Sequence, residues 1–348
     1  MGGSISKRLG EIKQFRKSEF SKLEEIVIEV TFECNLGCYF CFNRTVLNGN
    51  IVFRLSTKQI KEVIDKAAEL NIPFIRFSGG EPLLREDIFD LLAYAKSKKF
   101  KEVRLNTNGL LINEYVAKKL EKYVDNVLIA INACSSEQEK KITGVDSFNK
   151  RINALKLLKK TKIKIVRGGT IALPENIKNL EKIYSIVRGL KLDDWEVYRP
   201  IANKSNLGSI TKSDVKVLVQ KLLKIKKETG KTYPIANALP FCVLGKGNIC
   251  NVAGVSLGAK YDDGHCRLVI DPRGYIKPSY FINENLGGYL EFEKAWNSDF
   301  LKKIRNLSFV GSKCNDCDFL AVCKGGSRFD SYLKYGDYFK KDSLFNLV

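Results

Sequence analysis

The sequence predicts an α/β fold: a partial (β/α)6 TIM-like barrel followed by a small C-terminal cysteine-rich α+β domain. Short apolar, β-branched strands alternate with amphipathic helices from residue 25 to residue 205, a pattern typical of repeated βα units. Motifs rich in Gly and Asn follow several of these strands, at the end where such barrels carry their chemistry. From residue 241 onward the composition shifts to Cys, Gly and Asp.

Six strands and five helices account for the barrel. The predicted strands are Ile26–Val30, Phe74–Phe77, Glu102–Leu105, Asn126–Asn132, Ile163–Ala172 and Trp195–Tyr198. The predicted helices are Thr57–Leu70, Arg85–Lys98, Asn113–Lys122, Ser147–Lys160 and Ile177–Leu190. The Ser56-Thr57 pair and Asn113 are suited to be N-caps, because their side chains accept hydrogen bonds from free backbone N–H groups.

The chain divides into five predicted segments. Residues 1–24 are expected to form a helical extension, 25–205 the barrel and 206–240 a lysine-rich helical connector. Residues 241–330 form the cysteine-rich domain, and 331–348 a tail. The N-terminus lacks the apolar run of a signal peptide, and no stretch is long and apolar enough to span a membrane. We therefore expect a cytoplasmic protein with no membrane partner.

The net charge of +20 raises the question of nucleic-acid binding. Arginine is the better reader of phosphates and base edges, but only 15 of the 59 basic residues are arginine. The lysines are scattered over helical faces, so a solvated lysine-rich surface explains the charge better. An acidic peptide or a phosphorylated substrate would suit the same surface, and nucleic acid is not an expected partner.

Three cysteines follow the first strand with the spacing C-x3-C-x2-C: Cys34, Cys38 and Cys41. A four-iron cluster usually takes four thiolates, so three would leave one iron open to a ligand. Gly37 relieves backbone crowding where the chain must curl around a cluster. Three buried core cysteines are one alternative. A zinc site is another, but the only histidine, His265, is distant in sequence.

This segment resembles the signature of the radical S-adenosylmethionine (radical SAM) enzymes, C-x3-C-x-aromatic-C, with Phe40 at the aromatic position. The resemblance implies a [4Fe-4S] cluster on the three cysteines and SAM bound to the open iron, with its adenine near Phe40. It also implies reductive cleavage of SAM to a 5′-deoxyadenosyl radical that abstracts a substrate hydrogen, so that the cofactor carries the hard chemistry. An electron donor such as flavodoxin or ferredoxin is an expected partner.

Motifs after the later strands agree with this resemblance. Ser78-Gly79-Gly80-Glu81-Pro82 matches the family's GGEP motif, which contacts the SAM amino group. Here two glycines would let a ligand approach the backbone, and exposed amides with a carboxylate would suit a zwitterion. The Asn106-Thr107-Asn108-Gly109 segment is also a common turn sequence. The expected cofactor-binding residues are Phe40, Ser78, Gly79, Gly80, Glu81, Pro82, Asn106, Asn108 and Asn132.

Four residues are candidates for a catalytic role. Arg199, at the end of the sixth strand, could hold a substrate carboxylate bidentately, or form a surface salt bridge. Cys134 could line the pocket or pack as a buried thiol. Cys242 or Cys266, if free and facing the radical, could return a hydrogen atom to the substrate.

The second cysteine group has the spacing C-x2-C-x5-C and predicts a metal-binding knuckle, for a second iron–sulfur cluster or zinc. It resembles the SPASM/Twitch domains of radical SAM enzymes, with Ser279 and Ser327 where the family pattern has cysteines. No cysteine follows Cys323. We expect one auxiliary [4Fe-4S] cluster, and a hairpin over 268–276 to support it. Its expected ligands are Cys314, Cys317 and Cys323, with a fourth from Cys250, Cys266, Cys242 or an oxygen such as that of Asp330.

Three functions follow. The first is a radical SAM oxidoreductase or epimerase that modifies a ribosomally made peptide or protein side chain by cross-linking or epimerisation. The second keeps the radical chemistry but oxidises or epimerises a small molecule such as an aminoglycoside. The third is a non-catalytic metal-knuckle protein that binds nucleic acid.

Overall fold

The structure is a computed structural model that describes residues 22–43, 54–201, 209–259 and 264–346. The predicted N-terminal extension falls almost wholly outside the described residues, of which only 22–24 belong to it. The predicted tail is described as far as residue 346.

A nine-stranded sheet forms the centre of the described chain. Its strands are β1 (Glu25–Glu29), β2 (Phe74–Ser78), β3 (Glu102–Thr107), β4 (Asn126–Ala130), β5 (Ile165–Ile171), β6 (Asp194–Tyr198), β7 (Ile235–Ala236), β8 (Arg267–Ile270) and β9 (Ile276–Lys277). They lie in the order β7-β6-β5-β4-β3-β2-β1-β8-β9, all parallel except for the β8–β9 pair. The order is linear, so the sheet is open and the predicted partial barrel is confirmed.

Helices connect and cover the strands. Those of the barrel are α1 (Thr57–Glu69), α2 (Ile88–Lys96), α3 (Glu114–Tyr123), α4 (Ser136–Thr143), α5 (Phe148–Leu158) and α6 (Leu180–Gly189). Those that follow are α7 (Lys212–Thr229), α8 (Ile249–Ala253), α9 (Phe292–Trp296), α10 (Asp299–Arg305), α11 (Ser312–Asn315), α12 (Leu320–Cys323) and α13 (Arg328–Tyr335). Among the described helices, none is both long enough and apolar enough to cross a membrane.

Both predicted N-caps are confirmed. The Ser56 hydroxyl accepts from the backbone N–H of Gln59, whose side chain in turn accepts from the Ser56 amide. The Asn113 side chain accepts from the amide of Val116. These bonds satisfy N–H groups that the first turn of a helix leaves without partners, so α1 and α3 begin where the sequence predicts.

The two faces of the strands differ in character. In β1, Ile26 and Ile28 belong to the apolar core shared with the surrounding helices. Glu25 and Glu29 alternate with them and are also fully buried. Successive side chains of a strand point to opposite faces, so the charged residues of β1 face the inside of the barrel.

The hairpin predicted over residues 268–276 is present as β8 and β9. Its turn is closed by Asp271, which accepts from the amides of Arg273 and Tyr275. The sequence did not indicate that β8 would lie parallel to β1, with Glu25 opposite Arg267. Part of the cysteine-rich segment therefore extends the barrel sheet.

Candidate functional site

The first cysteine group lies on the loop that follows β1. Cys34, Cys38 and Cys41 are partly buried, and none forms a disulfide. The Cys41 amide donates to the Cys38 carbonyl at 3.1 Å, which curls the loop tightly. The Gly37 amide donates to the carbonyl of Thr143 at the end of α4. Helix α4, which the sequence analysis missed because its sequence is mostly polar, therefore anchors the cysteine loop.

The double glycine after β2 packs against this loop. The Gly80 amide donates to the Thr31 carbonyl, and the Glu81 amide donates to the Glu33 carbonyl, both at 2.7 Å. A Cβ on Gly80 would lie 2.0 Å from the Glu33 oxygen, and one on Gly79 would lie 2.4 Å from the Thr31 oxygen. The Gly80 and Glu81 amides therefore bond to the backbone that enters the cysteine loop, whereas Gly79 also borders an open cavity.

Glu81 is also turned inward. Its carboxylate is fully buried and accepts from the Thr107 hydroxyl, the Asn108 amide and the Leu83 amide, at 2.7, 2.7 and 3.1 Å. Burial raises the pKa of this carboxyl, although the three hydrogen bonds oppose the rise. Glu81 thus ties the loop after β2 to the loop after β3.

Asn108 completes the connection between the three loops. Its side-chain amide donates to the Asn35 side chain at 2.7 Å and lies 4.0 Å from the Cys34 sulfur. Its side-chain oxygen accepts from the Leu110 amide. The cysteine loop is therefore held on one side by the double glycine and on the other by Asn108.

A cavity of about 650 Å³ opens beneath the cysteine loop, inside the partial barrel. Phe40, Cys41, Ser78, Gly79 and Asn106, five of the residues predicted to bind the cluster or SAM, line it. Its walls are formed by side chains from β2 to β6 and by residues near β7, β8 and β9. A ligand in this cavity would thus lie between the thiol loop and the inner faces of the strands.

Charged side chains cover the inner faces of the strands. Glu25 lies among Arg76 and Arg104, both at 2.8 Å, and Arg267 at 3.3 Å. Burial would raise the pKa of Glu25, but the three guanidinium groups hold it well below its usual value. This network is not among the predictions made from the sequence. The alternation of polar and apolar residues along the strands indicates it, because strands of a barrel with an apolar interior would be apolar on both faces.

The polar lining continues around the barrel. Arg167 pairs with Glu196 at 2.9 Å, and Lys277 of β9 pairs with Glu29 at 3.1 Å. Tyr280 borders the cavity with a buried hydroxyl. The interior is therefore polar and contains charges of both signs.

The donor set of the cysteine loop fits an iron–sulfur cluster, because it offers three thiols on one curled loop beside an open cavity. Burial raises the pKa of Cys38 to about 12, with a further contribution from Cys41. A metal must therefore displace the thiol proton on binding. Within the described ranges, no three His, Cys, Asp or Glu side chains are grouped as a single metal ion would require.

Residues 28–187 match the family model described as the radical SAM superfamily. Residues 28–187 of this chain are a radical SAM domain. The match runs from β1, just before the cysteine loop, to α6, so it contains all three loops described above. The prediction made from the C-x3-C-x2-C motif is confirmed.

Several curated proteins are similar over most of the chain. Mycofactocin maturase MftC of Mycolicibacterium smegmatis is 26% identical over 86% of this chain and 76% of its own length. AdoMet-dependent heme synthase of Methanosarcina barkeri is 23% identical over 91% of this chain and 94% of its own. A probable GTP 3′,8-cyclase of Saccharolobus islandicus is 26% identical over 81% and 90%.

Solved structures share the fold. Streptococcus suis SuiB bound to S-adenosylmethionine superposes with a TM-score of 0.75 at 18% identity, covering 98% of this chain and 81% of SuiB. The structure of anSMEcpe with bound AdoMet and the Cp18Cys peptide has a TM-score of 0.70 at 20% identity, covering 93% and 92%. At these identities the likeness establishes the architecture of this radical SAM protein.

Arg199 has partners other than those the sequence analysis considered. It is 2% exposed, and its guanidinium pairs with Asp342 at 2.7 Å and Asp330 at 2.9 Å. It also donates to the Ala238 carbonyl. The guanidinium is thus bound to carboxylates of its own chain in a buried network and not in a surface salt bridge, and the residue also borders the cavity. This network joins the radical SAM protein's sixth strand to its C-terminal segment.

The second cysteine group lies outside the matched radical SAM domain. The Cys323 sulfur accepts from the Phe241 amide at 3.5 Å. Cys242 therefore lies next to the knuckle, although it is distant from it in sequence. Cys242 is buried, whereas Cys314, Cys317 and Cys323 are partly buried. None of the four is in a disulfide.

The two serines at the family's cysteine positions have local roles in this chain. Ser279 is buried, and its hydroxyl accepts from the amides of Phe281 and Ile282. Ser327 is buried at the start of α13, where its hydroxyl accepts from the Asp330 amide. Both hydroxyls therefore stabilise turns of the backbone.

The remaining predicted residues are spread through the fold. The Asn132 side chain is buried and accepts from the Ile171 amide, so it joins the ends of β4 and β5. Cys134 packs against the apolar core. Pro82 is buried at the first position of a short 3₁₀ helix. Cys250 is exposed on α8, and Cys266 is buried just before β8.

Proposed function

We propose that this radical SAM protein cleaves SAM reductively and uses the radical to cross-link or epimerise a side chain of a ribosomally made peptide. The observation that carries the proposal is the placement of the three-thiol loop. It is fixed by two neighbouring strand-end loops at the mouth of a cavity of about 650 Å³. An enzyme that generates a radical needs the cofactor and the substrate in one such enclosed space.

Cys34, Cys38 and Cys41 would hold the [4Fe-4S] cluster, and Phe40, Ser78, Gly79 and Asn106 would contact SAM from the cavity wall. When bound, the cluster and SAM supply a 5′-deoxyadenosyl radical that abstracts a hydrogen atom from the substrate. Asn108 would orient Cys34 through the contact at 4.0 Å.

The chain's own charged residues would position the substrate. Arg76, Arg104 and Arg267 share Glu25 at the base of the cavity. Such a fixed network holds its dipoles in place before the substrate arrives and needs little rearrangement on binding. The N–H and C=O groups of a peptide backbone would find hydrogen-bond acceptors and donors, respectively, on these walls.

The peptide assignment is supported by similarity alone. The structure of SuiB has been solved bound to the precursor peptide SuiA, and that of anSMEcpe with the Cp18Cys peptide. MftC is named a maturase. Shared architecture does not fix a substrate, so the assignment depends on the experiment below.

A small-molecule substrate is the second candidate. The curated relatives include probable GTP 3′,8-cyclases, and the cavity volume lies within the range of small-ligand pockets. An aminoglycoside oxidised or epimerised in the cavity would suit its mixed charges. The third hypothesis, a non-catalytic nucleic-acid-binding protein, is dropped, because members of the superfamily are enzymes.

We also propose one auxiliary [4Fe-4S] cluster on Cys314, Cys317 and Cys323, and an electron donor such as flavodoxin or ferredoxin. All ten cysteines of the chain are without a disulfide, which suits a reducing, cytoplasmic setting. The chain's excess of lysine would favour an acidic electron-transfer partner.

The test compares two substrate classes. The reconstituted and reduced protein is incubated without oxygen in deuterated water, with SAM and either a mixture of short synthetic peptides or a mixture of aminoglycosides. We expect a peptide that either loses two hydrogens, through cross-linking, or gains one solvent deuterium, through epimerisation. Modification of the aminoglycosides alone would favour the second candidate, and release of 5′-deoxyadenosine in neither mixture would contradict both.

A further inference from the structure

The knuckle offers three thiols, whereas a four-iron cluster held only by protein takes four. In this sequence the other cysteines outside the first group all precede the knuckle. The candidates among the described residues are Cys242, Cys250 and Cys266, with Asp330 as the oxygen alternative. Their positions in the fold differ sharply.

Cys242 lies against the knuckle. Its neighbour Phe241 donates a backbone hydrogen bond to the Cys323 sulfur at 3.5 Å. The ring of Phe241 contacts that of Phe319, which lies between Cys317 and Cys323, with 6.0 Å between the centroids. These contacts place Cys242 beside Cys323 and the knuckle, although it is distant from them in sequence.

The C-terminal segment packs against the backbone beside the same thiol. The Asn346 side chain donates to the Val243 carbonyl at 3.4 Å. The chain around residue 346 therefore borders the segment that carries Cys242.

Each rival ligand differs from Cys242 in its exposure, its position or its charge partner. Cys250 is exposed on α8. Cys266 adjoins β8, and its carbonyl accepts from the amides of Glu24 and Glu25, which fixes it beside the barrel sheet. The Asp330 carboxylate pairs with Arg199 at 2.9 Å.

We infer that Cys242 is the fourth thiolate of the auxiliary cluster, with Cys314, Cys317 and Cys323. The inference rests on the proposed auxiliary cluster and goes beyond it by assigning the ligand set. A thiolate bound to iron is not a free thiol, so Cys242 would not return a hydrogen atom to the substrate. That candidate role would fall to Cys266 or Cys134. The ligand set also links the segment after α7 to the knuckle, so cluster binding would stabilise the C-terminal part of the fold.

The test measures iron and acid-labile sulfide per chain, with the electron paramagnetic resonance spectrum of the reduced protein. The parent is the full chain carrying Cys34→Ala, Cys38→Ala and Cys41→Ala, which leaves the auxiliary site alone. We expect the parent to hold about four iron atoms. Adding Cys242→Ser should weaken iron binding, measured by chelator competition, by more than about 100-fold. Adding Cys250→Ser or Cys266→Ser, the matched controls, should not change it.

The outcomes separate the inference from the proposal beneath it. Retention of parental iron by the Cys242→Ser variant, with loss in a control variant, would overturn the ligand assignment and leave the auxiliary cluster in place. A parent with no iron, or with zinc instead, would overturn the cluster itself. Circular dichroism of each variant identifies one that fails to fold. In that case Cys242→Ala in the otherwise natural chain gives the same answer, by a fall from about eight to about four iron atoms.

Discussion

Replacing Gly80 by alanine is expected to displace the cysteine loop and prevent assembly of the first cluster. The new Cβ would lie 2.0 Å from the Glu33 carbonyl oxygen and 2.6 Å from its carbon. Both are backbone atoms, which cannot rotate away as a flexible side chain would. Relief requires the two loops to separate, which breaks the hydrogen bond from the Gly80 amide to the Thr31 carbonyl. Overpacking of this kind costs about 1–3 kcal/mol.

Two measurements check this prediction. Denaturant unfolding of the apo-protein should show the loss of stability, and iron content after reconstitution should fall by about four atoms per chain. Gly189→Ala is the matched control, because no atom lies within 4 Å of its added Cβ and the residue ends α6. Alanine there should be neutral or stabilise the helix by up to about 1 kcal/mol. Equal behaviour of the two variants would refute the packing argument.

Replacing Arg199 by methionine is expected to destabilise the fold by about 3–5 kcal/mol, because it leaves two buried carboxylates without their cation. The guanidinium lies 2.7 Å from Asp342 and 2.9 Å from Asp330. Burial raises the pKa of Asp330 to about 6 even with Arg199 present, and the charge of Asp342 adds to the rise. Without the guanidinium, the pKa of this carboxyl should rise further.

The pH dependence of the variant's stability follows from the raised pKa of Asp330. A carboxyl whose pKa is higher in the folded chain than in the unfolded chain destabilises the fold above its folded pKa. The penalty disappears as the pH falls through that value. The loss of unfolding free energy in the Arg199→Met variant, relative to the natural chain, should therefore be smaller at about pH 5 than at about pH 8. Adding Asp330→Asn and Asp342→Asn should recover much of the stability. A loss of stability that does not vary with pH and is not reduced by the two Asp→Asn substitutions would indicate lost packing instead.

Local sequence patterns were sufficient to predict most elements of the barrel. The six predicted strands, their connecting helices except α4, and the caps at Ser56 and Asn113 are all present. These features depend on residues near one another in the chain, and one sequence displays such patterns directly. The pairing of β8 with β1 depends instead on packing between segments more than 200 residues apart, which no local pattern encodes.

The site shows the same division. The spacing of Cys34, Cys38 and Cys41 predicted the family, but no local pattern showed that the double glycine also accommodates the neighbouring backbone. For Arg199 the sequence left two partners open, a substrate carboxylate or a surface carboxylate, because Asp342 is 143 residues away. A polar side chain at the end of a strand can bind a ligand, pair with another side chain or cap a turn. Its role depends on which residues lie beside it in the folded structure. The charged inner face could have been predicted from the period-two alternation of Glu102 and Arg104 with apolar residues.

The central claim is that the three early thiols hold the cluster at which SAM is cleaved. The most direct measurement is the release of 5′-deoxyadenosine from SAM by the reconstituted, reduced protein without oxygen. It compares the natural chain with the variant carrying Cys34→Ala, Cys38→Ala and Cys41→Ala, and Cys250→Ser serves as the control. We predict product from the natural chain and from the control, and none above background from the triple variant. Undiminished product from the triple variant would contradict the account.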